Sequence, residues 1–197
     1  MKSQPKEYYK SVHTPKSILK FWSGTYKLRS DILFEELEDM LPEEIHVLDL
    51  AAGSSYMAEK FLELENLKSY TWNDFNPVLI DVVKSRVSDP RFVIDSFDAE
   101  DKKIDFSKFN VFICVSLEHL VNDFSILERL PEGCVIGICS PNFGGEEHVR
   151  FFSRFSKFKK RYKYLMDVKG GRSIKHSETR TKFILYGKRN KRMRKSS

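Results

Sequence analysis

Cysteine is scarce in this chain, with Cys114, Cys134 and Cys139 the only three. All three sit in apolar, strand-like runs, and no short spacing between them suggests a metal knuckle. An odd number in that setting reads as buried, reduced thiols of a cytoplasmic protein and excludes a disulfide framework. Long apolar runs are also missing. No stretch approaches the ~18 residues needed to span a bilayer, and the charged start lacks the apolar segment of a secretion signal. No internal repeat is evident. The Gly-Lys-Ser/Thr ending of a phosphate-cradling loop is absent too, which excludes that class of nucleotide site.

What is present is one domain's worth of chain, 197 residues with 41% hydrophobic content, enough for a substantial core. The charge is unevenly spread. Residues 148–197 hold 18 Lys and Arg against 2 acids, whereas residues 1–147 hold 16 against 26. A +16 segment attached to a −10 body suggests a basic face for an anionic partner.

The stretch that organises the chain is His46-Val-Leu-Asp-Leu-Ala-Ala-Gly-Ser-Ser55. Val47, Leu48 and Leu50 read as a buried strand. Asp49 inside that run is costly unless partnered. The small residues after it let backbone approach a ligand closely, and the helix from Tyr56 points its free N–H groups at the same place. A dinucleotide fingerprint would need glycine at 51, 53 and 56, the last for tight helix packing. Here Ala51 and Tyr56 stand instead, so a smaller ligand with one anionic end fits better.

The remaining pattern alternates strands with helices, which predicts a parallel α/β sheet. Helices are expected over Ser30–Met40 (capped by Ser30 or Asp31), Met57–Leu64, Pro77–Val87 and Phe124–Leu130, with a basic amphipathic one from Glu147 to Tyr162. Strands are expected at 69–75, 91–94, 109–115 and 134–139. A closing antiparallel pair, 164–168 and 182–186, is expected around a Gly170-Gly171 loop. The organisation expected is an N-terminal helical segment (1–44), a domain (45–187) and a basic tail (188–197), with a further helix starting at Thr14-Pro15.

Several strand ends together give the pattern more specific meaning. Asp49-x-Ala51-x-Gly53-x-Ser55 resembles motif I of the class I S-adenosylmethionine (SAM)-dependent methyltransferases, normally acidic-x-Gly-x-Gly-x-Gly, with only the middle glycine kept. Asp74-Phe75-Asn76-Pro77 is similar to the family's acidic segment after strand two, and Asp98-Ala99 to its Asp-Ala loop. Ser116-Leu117-Glu118-His119 is similar to the Leu-Glu-His segment after strand four. Pro131-Glu132-Gly133 stands at the family's Pro-Gly turn. Ser140-Pro141-Asn142 followed by His148 resembles the quinone-biosynthesis-like, small-molecule subgroup.

The resemblance covers about residues 45–155. It implies a Rossmann-like methyltransferase fold, a mostly parallel seven-stranded sheet of order 3-2-1-4-5-7-6 with an antiparallel last strand and helices on both faces. The implied cofactor is S-adenosyl-L-methionine, lying above the strands' carboxyl ends. Asp49, Ala51, Gly53 and Ser55 would form its turn, and Asp74 would accept from the ribose. Phe75 would pack on adenine, Asp98 and Ala99 would face it, and Ser116 would line the site. Arg29 and Tyr26 would close over the methionine carboxylate.

Methyl transfer from a sulfonium is intrinsically downhill, so positioning supplies much of the catalysis and no metal is required in general. A base matters when the acceptor must lose a proton, and His119 and His148 are the residues placed for it. The leading expectation is therefore a methyltransferase acting on oxygen or nitrogen of a small or anionic acceptor. A nucleic-acid methyltransferase using residues 150–195 is the alternative. The Asn-Pro-Pro-Tyr/Phe segment of amino-directed enzymes is missing, which counts against adenine or cytosine amino groups. The basic aromatic helix also suits a peripheral membrane contact. A SAM-binding module without catalysis is a further alternative, because motif I has lost two glycines.

Overall fold

The computed structural model describes residues 25–53, 56–74, 76–144, 148–175 and 177–190. Ser55, Phe75, the Thr14-Pro15 helix start and residues 191–197 of the tail lie outside them, as does the side chain of Tyr26.

Seven strands form one sheet: β1 (Ile45–Leu50), β2 (Leu67–Asn73), β3 (Phe92–Ile94), β4 (Val111–Cys114), β5 (Val135–Pro141), β6 (Met166–Lys175) and β7 (Thr181–Arg189). Their order is β3-β2-β1-β4-β5-β7-β6. The first five are parallel, and β7 runs antiparallel to both β5 and β6. This is the order the resemblance implies.

Strand β1 is central, and its residues alternate between two cores, as a period-two strand buried on both faces must. Val47 enters a cluster with Leu33, Leu37, Phe61 and Val83, while Leu48 and Leu50 join Phe112, Ile126, Leu127 and Phe158. The first cluster is closed by helices α1 (Thr25–Glu38), α2 (Tyr56–Leu62) and α3 (Pro77–Arg86). The second is closed by α4 (Asp123–Arg129) and α5 (Phe155–Tyr162). Helix α1 lies close against β5, because a Cβ on Gly137 would meet Leu37 Cδ1 at 2.9 Å and Leu33 Cδ1 at 3.0 Å.

Three expectations need correction. Helix α1 begins a turn earlier than its proposed caps, so Ser30 and Asp31 lie inside it. Its N-terminal half is held by tertiary contact: Arg29 is buried and donates Nη1 to the Val115 carbonyl at 3.1 Å.

The basic helix is only eight residues, Phe155–Tyr162. The preceding backbone is spent elsewhere, Val149 N–H on the Glu118 carbonyl at 2.9 Å and Phe152 N–H on Pro141 at 3.0 Å. Phe152 still packs on Phe158, ring centroids 5.0 Å apart, from outside the helix. The aromatic spacing was thus real, but it reflected a shared core rather than one continuous helix.

Gly170 and Gly171 are strand residues opposite Tyr186 and Leu185, and the chain reverses around 177–180. They are small because β7 crowds them. A Cβ on Gly171 would stand 2.4 Å from the Ile184 carbonyl oxygen, and one on Gly170 would overlap the Tyr186 hydroxyl. Strand β7 also runs two residues past 187, ending on a buried Arg189 whose guanidinium donates to the Leu127 and Leu165 carbonyls, each at 3.0 Å.

Candidate functional site

The parallel register brings the carboxyl ends of β1, β2, β3 and β4 side by side, with Leu50 opposite Asn73, Trp72 opposite Ile94 and Asp49 opposite Ile113. Asp49, Ala51, Gly53, Asp74, Asp98, Ala99 and Ser116 all fall at those ends or within a few residues of them. Chain reversal after β1 uses two left-handed residues, Ala51 at φ 50° and Gly53 at φ 58°. A non-glycine residue there is strained and must be held by its surroundings. Part of that hold is the next residue's N–H, Ala52 donating to the Asn73 carbonyl at 3.1 Å.

Asp74, at the tip of β2, ties the two turns together. Its Oδ2 accepts from Gly53 N–H at 3.1 Å and its Oδ1 from Asn76 N–H at 2.9 Å. Asn76 then caps α3 by accepting from Val78 N–H at 3.1 Å, with Pro77 in the first turn. Asn73 links β2 to the β3 tip, donating Nδ2 to the carbonyls of Asp95 at 2.6 Å and Phe97 at 3.0 Å. Beyond β3, Asp98 is exposed and turns its own loop by accepting from Glu100 N–H at 2.9 Å. Ala99 is buried beside it, its carbonyl bound by Arg129 at 3.0 Å.

Asp49 lies fully buried beneath this turn. Tyr70 donates its hydroxyl to Oδ2 at 2.5 Å, while Oδ1 has no hydrogen-bond partner. Burial drives its pKa from 3.8 up to about 7, the Tyr70 hydrogen bond opposing the rise and nearby Asp74 adding to it. Sequence reasoning required a partner for this acid without identifying Tyr70, because the two meet only across neighbouring strands.

A second group of polar side chains gathers where β4 and β5 end. Ser116 opens a single 3-10 turn, Leu117–His119. Glu118 in that turn is 2% exposed and accepts from Lys182 Nζ at 2.6 Å. Burial disfavours the Glu118 carboxylate, but Lys182, His119 and Arg29 outweigh it and hold the acid below its ordinary range. Burial, with nearby Arg29 adding to it, pulls the Lys182 ammonium down despite the facing Glu118. Contact at 2.6 Å between ammonium and carboxylate keeps the two groups a charged pair.

His148 comes from the segment after β5. Its Nδ1 lies 3.1 Å from the Phe143 carbonyl, which can only accept, so Nδ1 carries the hydrogen. Its Nε2 points at Glu118 Oε1, 3.9 Å away. Burial lowers its pKa below 6.5 despite the facing carboxylate. The His119 ring stands edge-on to it, centroids 5.5 Å apart. The two histidines singled out in the sequence are therefore neighbours. Lys182, 64 residues from Glu118, carried no sequence signal for its role.

The basic quarter is divided by the fold. Arg150 and Arg161 both pair with buried Asp123, Arg161 through Nη2 at 2.8 Å, and Tyr162 donates its hydroxyl to the same carboxylate. Arg154, Lys157, Lys159, Lys160 and Lys163 stay exposed. Among the described residues no helix is long and apolar enough to cross a membrane.

No protein-family model matches the sequence, and no curated relative matches it at a significant level. Solved structures do match. The Burkholderia thailandensis 1,6-didemethyltoxoflavin-N1-methyltransferase, with bound 1,6-didemethyltoxoflavin and S-adenosylhomocysteine, superposes with a TM-score of 0.71 at 14% identity. That match covers 94% of this chain and 87% of that one. A SAM-dependent methyltransferase from Aquifex aeolicus gives 0.62 at 12% identity, covering 89% and 98%. The [4+2]-cyclase SpnF gives 0.63 at 12%, covering 83% and 80%. The chain has the class I SAM-dependent methyltransferase fold. A cyclase among its neighbours illustrates that fold and reaction are separate questions.

Proposed function

We propose that this protein is a SAM-dependent methyltransferase acting on an oxygen or nitrogen of a small or anionic acceptor. The observation that carries the reading is Asp74, whose carboxylate locks the left-handed β1–α2 turn to the tip of β2, the place where an acid would meet a ribose. Two further features fit the cofactor. Above Gly53 a Cβ would meet nothing among the described residues within 4 Å, which suits close approach of a ligand. Beneath it, Asp49 Oδ1 is a buried acceptor lacking a donor, which the ammonium end of such a ligand would supply directly or through water. Ala51 reaches φ 50° without being glycine, so the loss of two motif glycines has not abolished the turn.

When bound, SAM supplies an electrophilic methyl on a positively charged sulfur. This chain's residues bind and orient. Asp74 holds the sugar, Asp98 and Ala99 border the base, and Ser116 lines the passage toward the acceptor. His119 and His148 stand side by side at the acceptor end, with Nδ1 of His148 committed to the Phe143 carbonyl. In-line positioning is the main contribution asked of the protein. The exposed lysines of α5 favour nucleic acid as the second acceptor class.

Calorimetric titration of the full chain with SAM and with S-adenosylhomocysteine, followed by radiolabelled methyl transfer into fractionated cell extract, tests the reading. Binding of both and label in a low-mass fraction is the expected result. Label in RNA would favour the second acceptor class, and no heat with either compound would overturn the proposal.

A further inference from the structure

Glu118, His119 and His148 come from two separate segments, and one ligand-type atom from each lies within 4.8 Å of the others. We propose that these three residues bind a divalent transition-metal ion of zinc type, placed to hold an oxygen of the methyl acceptor. Metal binding itself does not depend on the methyltransferase reading; only the role given to the metal rests on it.

The local geometry is hard to explain by protein groups alone. His148 Nε2 is a lone-pair acceptor facing the Glu118 carboxylate at 3.9 Å, too far for a hydrogen bond and with no proton between them. The other carboxylate oxygen, Oε2, is buried with no hydrogen-bond partner at all. A buried carboxylate oxygen without a donor, beside an imidazole lone pair, leaves a place for a cation in addition to the Lys182 ammonium. Zinc–ligand bonds of about 2.0–2.2 Å place ligand atoms roughly 3.3 Å apart, so atoms within 4.8 Å of one another have to approach by about 1.5 Å at most.

The donor set selects the ion. Two imidazoles and one carboxylate suit zinc and its first-row neighbours, whereas magnesium and calcium prefer oxygen alone. The supports a metal site needs are already in place. The Nδ1–H of His148 on the Phe143 carbonyl fixes the ring with Nε2 outward. Lys182 grips Oε1 of Glu118 at 2.6 Å and so fixes the orientation of the carboxylate. Three protein ligands leave a fourth position open, as in catalytic zinc sites. An acceptor hydroxyl bound there would lose its proton to solvent. Its oxygen would then bond the methyl carbon as the carbon–sulfur bond breaks and the bonding pair stays on sulfur. The same Lys182 opposes the metal, because an ammonium stands near the dication. An acceptor arriving as an anion would offset that charge.

Cobalt(II) titration of the untagged full chain tests the site directly, since four-coordinate cobalt gives intense visible bands that zinc then bleaches. One equivalent is expected, and the double variant His119→Ala/His148→Ala should weaken binding by roughly tenfold or more. Lys182→Met should tighten it instead, by removing the competing charge. Histidine NMR of the wild-type chain serves if the variants misfold: zinc should move two of the five imidazoles. Absence of cobalt bands, bands that survive the double variant, or zinc shifts on other histidines would overturn the proposal. SAM binding without cobalt bands would remove the metal alone, and cobalt bands without SAM binding would leave the metal site standing.

Discussion

Replacing Asp49 with asparagine should make this protein more stable above neutral pH while weakening its hold on SAM. The carboxyl is fully buried, and its pKa stands at about 7 instead of 3.8. A folded-state value above the unfolded one means that folding takes up a proton in between. The stabilisation carried by the protonated acid is complete below pH 3.8 and is lost as pH rises through about 7. Three units at about 1.4 kcal/mol each set an upper bound of roughly 4 kcal/mol on that loss.

Asparagine imitates the protonated acid, with an oxygen to accept from Tyr70 and a donor where Oδ1 stands without a partner. Urea denaturation of both proteins at pH 5, 6, 7 and 8 measures the effect. The variant should pull ahead of wild type by about 1 kcal/mol per pH unit up to pH 7, then by little more. SAM affinity should run the other way. In wild type it should rise with pH through neutrality as the carboxylate becomes available to a cation, and in the variant it should be low and flat. Such a trade of stability for binding is common at ligand sites. Parallel stability profiles for the two proteins between pH 5 and 7 would refute the reasoning.

Asp74→Ala removes both acceptors that bridge the turns, so SAM affinity should fall about 10- to 100-fold by calorimetry, with a smaller loss of thermal stability. Gly53→Val puts a branched side chain at φ 58° and into the space above the turn. It should cost about 1–3 kcal/mol of stability and abolish SAM binding, read by denaturation and calorimetry. Asp123→Ala removes the acceptor shared by Arg150, Arg161 and the Tyr162 hydroxyl. It should cost about 3–5 kcal/mol and lower Tm by roughly 10 °C in a calorimetric scan.

The sheet and its ligand-facing rim were legible in the sequence because both depend on local signals. Alternating strand and helix patterns set the parallel order. Small residues after Leu50 announce a close turn, whereas Asp74 stands out through the resemblance of several strand ends taken together. Asn76-Pro77 likewise announced the start of α3. The limits of local pattern show in the basic segment. Phe152, Phe155, Phe158 and Tyr162 recur at helical steps, yet Phe152 lies outside the helix because neighbouring strands and the Glu118 turn claim its segment's backbone hydrogen bonds. Gly170 and Gly171 read as a loop for the same reason, since the crowding that demands glycine there comes from β7.

Sequence by itself determined the strand–helix alternation and the β1–α2 turn, each written within a few consecutive residues, and the resemblance of several strand ends supplied the strand order. Only the tertiary structure decided the partners. Tyr70 reaches Asp49 across a strand pair, Lys182 reaches Glu118 over 64 residues, and His148 folds back beside His119. Those pairings depend on how the sheet stacks its strands, and nothing in the spacing of residues along the chain encodes them.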